Sequence, residues 1–298
     1  MSVIDELLVG AVDMHQHLGP SVIPRALDVI EGALEAEAAG MKAILVKDHQ
    51  FPSMASAELA KRSLKRKDSL IIASSIVLNH EVGGLNKAAV ETAINMGVKM
   101  VWMPTISTEN HHVEHEKGGL KFPASKKKIE TTHRDYIPLL KDNGELTDDV
   151  VEVLKVIAKD ESVVLGAGHG SCKEVSAIVE KALELGISRI VVNHPTYMIN
   201  ADIETMKYWG SKGVFMEFGA CTCDPLSTIC NAEVSQTVAA IKAIGVDHVT
   251  LASDYGQVGN PHPVEGLKHF AQLLLDNGFS MQELETMMQV NPSKVMGI

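Results

Sequence analysis

The segment Asp13-Met14-His15-Gln16-His17 closes an apolar run near the start of a 298-residue chain. Side chains of an extended strand alternate faces, so His15 and His17 should point the same way with Asp13 behind them. Two imidazoles on one strand edge offer neighbouring nitrogen lone pairs to a single divalent ion. A lone His-x-His also arises by chance, so the metal reading needs ligands from elsewhere. Other apolar runs end similarly: Lys47-Asp48-His49, Asn79-His80-Glu81, Gly168-His169-Gly170, Asn193-His194-Pro195, Glu217, and Ser253-Asp254-Tyr255-Gly256. Random placement of 13 histidines would not favour these positions. A plain hydrogen-bonding role at a loop start accounts for His49 or His80 singly. It accounts poorly for His15, His17, His169, His194 and Asp254 as a set.

The elements that must position these residues follow a recurring phrase: a helical stretch, a glycine, then an apolar run with a polar end. Gly40, Gly97, Gly186, Gly213 and Gly245 each open such a run, as glycines that cap a preceding helix do. The runs of four to six apolar residues read as strands buried on both faces. Runs at about 8–14, 70–77 and 162–168 bring the number of strands to eight. Amphipathic patterns near 24–40, 53–66, 84–96, 146–160, 171–186, 200–212, 230–244 and 261–277 alternate with them. Eight β and α units predict an α/β chain folded as a (β/α)8 TIM barrel over 1–298, with an extra helix near 280–298. A doubly wound open sheet is the rival, but no Gly-x-Gly-x-x-Gly follows the first strand. Enzymes built on such barrels carry their chemistry at the C-terminal strand ends, where the polar residues above fall.

Composition narrows the function. The formal charge of −11 argues against a nucleic-acid partner. Apolar residues at 45% with aromatics at 4% suit packed parallel strands and helices. The acidic start lacks a signal-peptide pattern, and no apolar stretch approaches the ~20 residues that span a bilayer, so a soluble cytoplasmic protein is expected. The four cysteines, Cys172, Cys221, Cys223 and Cys230, lack zinc-site spacing and read as reduced thiols.

The connection after the fourth strand, 106–145, is unusually long. It reads either as a solvated insertion or as a flap whose Lys121, Lys126 to Lys128 or Arg134 meet an anionic substrate. Its histidines, His111, His112 and His115, are left outside the expected metal site because clusters in loops are often incidental.

The ordered set His15 and His17 after strand one, His169 after strand five, His194 after strand six and Asp254 after strand eight resembles the amidohydrolase superfamily of metal-dependent hydrolases. The closing Asn291-Pro292-Ser293-Lys294-Val295-Met296-Gly297 is also similar to that superfamily's C-terminal ending. The resemblance spans the chain and implies one or two divalent ions, zinc first, held by His15, His17, His169, His194 and Asp254. It also implies that Asp254 moves the proton of an attacking water, and that His194 binds a second ion or stabilises an oxyanion. Asp13 is expected to point into the barrel as a partner of the ligands. The sequence departs from the binuclear pattern on strand four, where Met103, Pro104 and Thr105 cannot bridge two metals. Lys47 is the substitute bridge, and Lys47, His49 and His80 are candidates for a second metal or for substrate. An Asp-x-His near the end, expected of polymerase-and-histidinol-phosphatase-type phosphoesterases, is absent.

The expected function is hydrolysis of a C–N or ester bond in a small molecule. A metal-dependent decarboxylase resembling aminocarboxymuconate semialdehyde decarboxylase is the alternative, and a non-catalytic ligand-binding barrel is a third. Substrate choice falls to the loops, where Lys47, His49, His80, Trp102, Glu217 and Tyr255 are candidates. A homo-oligomer is compatible with all three.

Overall fold

In the computed structural model, residues 3–65, 69–118 and 135–298 are described. Lys121, Lys126 to Lys128 and Arg134 lie outside them. Eight parallel strands pair in sequence order: β1 (Val12–Gln16), β2 (Ala43–Val46), β3 (Ile71–Val77), β4 (Met100–Trp102), β5 (Val164–Gly166), β6 (Ile190–Asn193), β7 (Phe215–Gly219) and β8 (Val249–Ala252). Backbone bonds just past the strands close the ring: Asp254 N donates to His15 O and His17 N to Tyr255 O, both at 2.8 Å. The protein is a (β/α)8 barrel.

Helices α1 (Val3–Leu8), α2 (Val29–Ala38), α3 (Met54–Ala60), α4 (Lys87–Asn95), α5 (Glu109–Lys117), α6 (Asp148–Ile157) and α7 (Cys172–Glu184) surround or cap the first half of the barrel. The second half carries α8 (Ile203–Ser211), α9 (Ala220–Cys223), α10 (Val234–Ile244), α11 (Pro263–Asp276), α12 (Met281–Glu285) and α13 (Asn291–Met296). Three of these, α1, α5 and the single turn α9 after β7, were not anticipated. The run assigned to a strand at 8–14 is split: Leu7 and Leu8 end α1, and the strand itself starts at Val12. Residues 109–117, read as loop, form α5, with the Thr108 side chain accepting from His111 N at its start.

Two apolar layers result. The larger lies between strands and helices and includes Ile44, Val46, Val101, Val192 and Leu251. The smaller fills the barrel itself with Val12, Met14, Leu45, Trp102 and Phe215. Val295 and Met296 of α13 belong to this inner cluster, so the expected C-terminal helix plugs the barrel at its strand-start end. Lys42, Lys99 and Arg189, each just before a strand, donate to carbonyls of Ile298, Met296 and Val295. Cations there also favour the negative end of the helix. Asn291 Nδ2 donates to Val246 O and Val249 O at 2.7 Å each, tying the closing motif to the start of β8.

Candidate metal centre

The opposite end, where the strands finish, holds a cavity of about 90 Å³. His15, His17, Lys47, His49, His169, His194 and Asp254 all line it. His80 does not: its ring bonds Asp135 O at 2.8 Å at the edge of the barrel mouth. Sequence reasoning also missed residues that line the cavity, chiefly Arg25, His111 and His115. The His111/His115 pair had a legible signal, because positions four apart share one helix face once α5 is recognised.

A β-bulge aims the opening histidines. The register between β1 and β2 shifts between Asp13 and Gln16. Val12 and Met14 face the inner cluster, and after the shift His15 and His17 still turn to the cavity. Asp13 therefore does not point into the barrel beneath them. Its buried carboxylate accepts from His15 N and Ser253 N at 3.1 Å each, and from Gln16 Nε2 at 2.9 Å. It holds the bulge and the end of β8 instead of supporting the imidazoles.

Two glycines allow the loops to close in. A Cβ on Gly256, at φ +134, would sit 1.8 Å from His17 O. On Gly168, at φ +78, it would sit 2.5 Å from Pro104 O. Only glycine fits either place. His194 and Asp254 adopt left-handed backbone without that freedom, at φ 51 and 54. Residues held in such conformations cluster at sites where geometry serves function.

The donor chemistry fits a cation. His17 Nδ1 lies 3.0 Å from Lys47 O, a carbonyl that can only accept, so this nitrogen carries the proton. That leaves Nε2 as a lone pair facing Asp254 Oδ1 at 3.0 Å, one acceptor against another. His15 Nδ1 lies 2.7 Å from Glu217 Oε1, and its Nε2 lies 3.1 Å from Asp254 Oδ1 with the Lys47 ammonium 3.0 Å away as the donor beside that pair. His194 Nε2 lies 3.6 Å from Asp254 Oδ2. Such contacts are favourable only with a proton or a metal ion between them. Doubly protonated rings are disfavoured here, since burial pushes the pKa of His15 and His17 below the ordinary imidazole range. Among the described residues, donor atoms of His15, His194 and Asp254 all lie within 4.8 Å of one another. His169 lies outside that group but lines the same cavity: among the described residues its buried Nε2 has no hydrogen-bond partner, and its Nδ1 lies 2.9 Å from His111 Nδ1.

Electrostatics reinforce the arrangement. Burial lowers His169 and His49 well below the usual range and His194 to about 4, keeping their lone pairs available. Burial alone would raise the Asp254 carboxyl, but the facing His15, His17 and His194 outweigh it and hold the group ionised. Lys47 stands 3.0 Å from His15 Nε2 and 4.1 Å over the Trp102 ring. Burial lowers its pKa to about 8, against the pull of Asp254 and Glu217. Burial likewise raises Glu217 to about 8, against the pull of Lys47. His49 is oriented by Thr105 Oγ1 at 2.8 Å, and Asn79 clamps that strand-four end through Thr105 Oγ1, Thr105 N and Ser107 N. Thr105 is thus committed to hydrogen bonds. The thiols of Cys221 and Cys223 are buried, which raises both, Cys223 to about 12.

Residues 10–217 match DUF6282, described as a family of unknown function. The chain belongs to that family. No curated protein matches its sequence. Its fold is that of several solved structures. An amidohydrolase from Pseudomonas aeruginosa superposes with a TM-score of 0.62 at 13% identity, over 98% of this chain and 98% of the other. A phosphotriesterase homology protein from Escherichia coli, bound to phosphate in its active site, gives 0.58 at 13% identity over 96% and 98%. A 2,6-dihydroxybenzoate decarboxylase bound to 2,6-dihydroxybenzoate gives 0.53 at 12% identity over 97% and 99%. These likenesses extend the barrel comparison to the whole chain. No helix among the described residues is long and apolar enough to cross a membrane.

Proposed function

We propose that this DUF6282 protein is a metal-dependent enzyme of the amidohydrolase type that hydrolyses a C–N or ester bond in a small molecule. The observation that carries the reading is the convergence of the His15, His17 and His194 Nε2 atoms on the Asp254 carboxylate at the C-terminal end of the barrel. His15, His17, His169 and Asp254 would hold a divalent ion, zinc first, with His194 beside it or on a second ion. A bound ion there supplies Lewis acidity and makes water more acidic. Asp254, kept ionised by its histidines, takes a proton from water and returns it to the leaving group. His194 steadies negative charge developing on the substrate oxygen. Glu217 fixes the His15 ring and its tautomer, as carboxylates behind metal-binding histidines do.

One observation favours a second reading. The end of strand four offers no bridging ligand: Met103 is packed in the core and Thr105 is bound by His49 and Asn79. That suits a single ion and leaves a decarboxylase open, in keeping with the likeness to the 2,6-dihydroxybenzoate decarboxylase. Metal analysis of the purified protein should find one or two divalent ions per chain. Assaying amides, esters and lactones for acid release, beside carboxylated aromatics for carbon dioxide, separates the two reactions. Full turnover in chelator-treated, metal-free protein would end both.

A further inference from the structure

Arg25 stands on the loop between β1 and α2, which is pinned against the loop after β8. Ala26 N donates to Gly256 O at 2.9 Å, and Arg25 itself bridges Gln257. Its side chain is only 4% exposed and lines the cavity. Yet among the described residues Nε and Nη2 have no hydrogen-bond partner. Asp48 Oδ2 lies 3.6 Å from Nη2, close enough to offset charge but too far for a hydrogen bond. The other oxygen of Asp48 is taken by the backbone N–H groups of Gln50 and Phe51, each at 2.9 Å. A guanidinium presents five N–H donors in a rigid fork, and burying it with donors unfilled is costly. A buried cation left short of acceptors at a cavity wall is a binding group waiting for its ligand.

The remaining lining points to the sign of that ligand. Among the described residues, its charged and imidazole side chains are Arg25, Lys47, seven histidines and a single carboxylate, Asp254, in a chain whose formal charge is −11. We propose that Arg25 anchors a carboxylate of the substrate, so that the protein acts on small carboxylic acids. The inference deepens the reading above and uses the same cavity. A carboxylate matches the fork with two parallel hydrogen bonds. One guanidinium already partly offset by Asp48 suits a single negative charge better than the double charge of phosphate. Arg25 is then a specificity residue that orients the reacting bond toward Asp254, and lysine, a point donor, replaces it incompletely.

The test uses the full chain, with and without zinc, and follows binding by ligand-observed NMR. The probes are acetate, benzoate, phthalate, inorganic phosphate and benzamide, the neutral counterpart of benzoate. Wild type should bind benzoate at least tenfold tighter than benzamide, in metal-free protein as well as loaded. Arg25→Met should lose that preference with benzamide binding and zinc content unchanged, and Arg25→Lys should recover part of it. Should Arg25→Met fail to fold, peptide-level mapping of phenylglyoxal modification on wild type replaces it, with benzoate expected to shield Arg25. The proposal is overturned if Arg25→Met holds benzoate as tightly as wild type, if no carboxylate binds, if phosphate binds tighter, or if benzoate leaves Arg25 unshielded. Because the preference is read in metal-free protein, it can survive a failure of the hydrolase reading. Zinc binding and turnover can equally survive its loss.

Discussion

Protein stripped with a chelator should show an acid lability that can be assigned to one residue. His194 is buried, and its folded-state pKa falls to about 4 from an ordinary 6.5, chiefly through that burial and against the pull of Asp254. Unfolded chains take up that proton below pH 6.5, whereas the folded protein takes it only near 4. The unfolded state binds more protons in this window, so stability is complete above pH 6.5 and is lost as pH falls toward 4. At roughly 1.4 kcal/mol for each pH unit, the contribution is about 3 kcal/mol. His194→Asn removes the titrating group while keeping a residue that tolerates the left-handed backbone at φ 51. Urea unfolding of chelator-treated wild type and variant at pH 7 and pH 4 measures the difference. Wild type should lose about 3 kcal/mol more than the variant between the two pH values. Other buried histidines titrate in both proteins; His15 and His169, which His194 helps to push down, are relieved in the variant, and that adds to the difference in the same direction. Asp254, whose pKa is depressed, withdraws its contribution only below the ordinary carboxylate value of 3.8, outside the window. Parallel losses in the two proteins, within about 1 kcal/mol as linear extrapolation resolves, would refute the argument.

Two further outcomes follow from contacts. Glu217→Gln replaces the carboxyl group that meets His15 Nδ1 with an amide of nearly the same shape that cannot ionise when an ion binds, and metal affinity, measured by competition with a coloured chelator, should fall roughly 10- to 100-fold; an unchanged affinity would remove Glu217 from the site. Gly256→Ala places a methyl 1.8 Å from His17 O and forces φ +134 on a residue with a Cβ. It should cost more than about 2 kcal/mol and lower metal content together, because the strained bond is the one that carries His17.

The barrel was legible because its punctuation is local. Each of Gly40, Gly97, Gly186, Gly213 and Gly245 separates a helix from the next strand, and all five take positive φ. The strand-end candidates were legible because barrel geometry sends every such end to one face, so sequence order alone placed His15, His169, His194 and Asp254 at one cavity, where His15, His194 and Asp254 draw together. What escaped lacks periodicity. Helix α5 buries His111 and Glu114 where an amphipathic helix would bury aliphatic groups, so its inner face reads as polar loop. Its His111 and His115 were set aside for that reason, although they line the cavity. Arg25 sits on an irregular loop whose position is fixed by Gly256, some 230 residues later in the chain, and nothing nearby announces it. His80 failed in the opposite way: it follows a strand, as the others do, but the 3-10 turn His80–Val82 carries it to Asp135. The bulge in β1 is invisible to strict alternation, which is why Asp13 was placed inside the barrel.

Strain and barrel closure meet at the same residues. His194 N donates to Glu217 O at 3.1 Å and Asp254 N to His15 O at 2.8 Å, so each adds one rung beyond its strand to the neighbouring one. An extended residue after such a rung would continue away from the axis. Turning the backbone left-handed at that point instead aims His194 and Asp254 across the mouth, at a cost of order 1–2 kcal/mol each. Both turns are held by the ladder they extend, and Asp254 occupies the rung that closes β8 onto β1. The carboxylate on which the histidines converge is therefore carried by the bond that closes the barrel. Loosening that seam should disperse the ligands before it unfolds the strands.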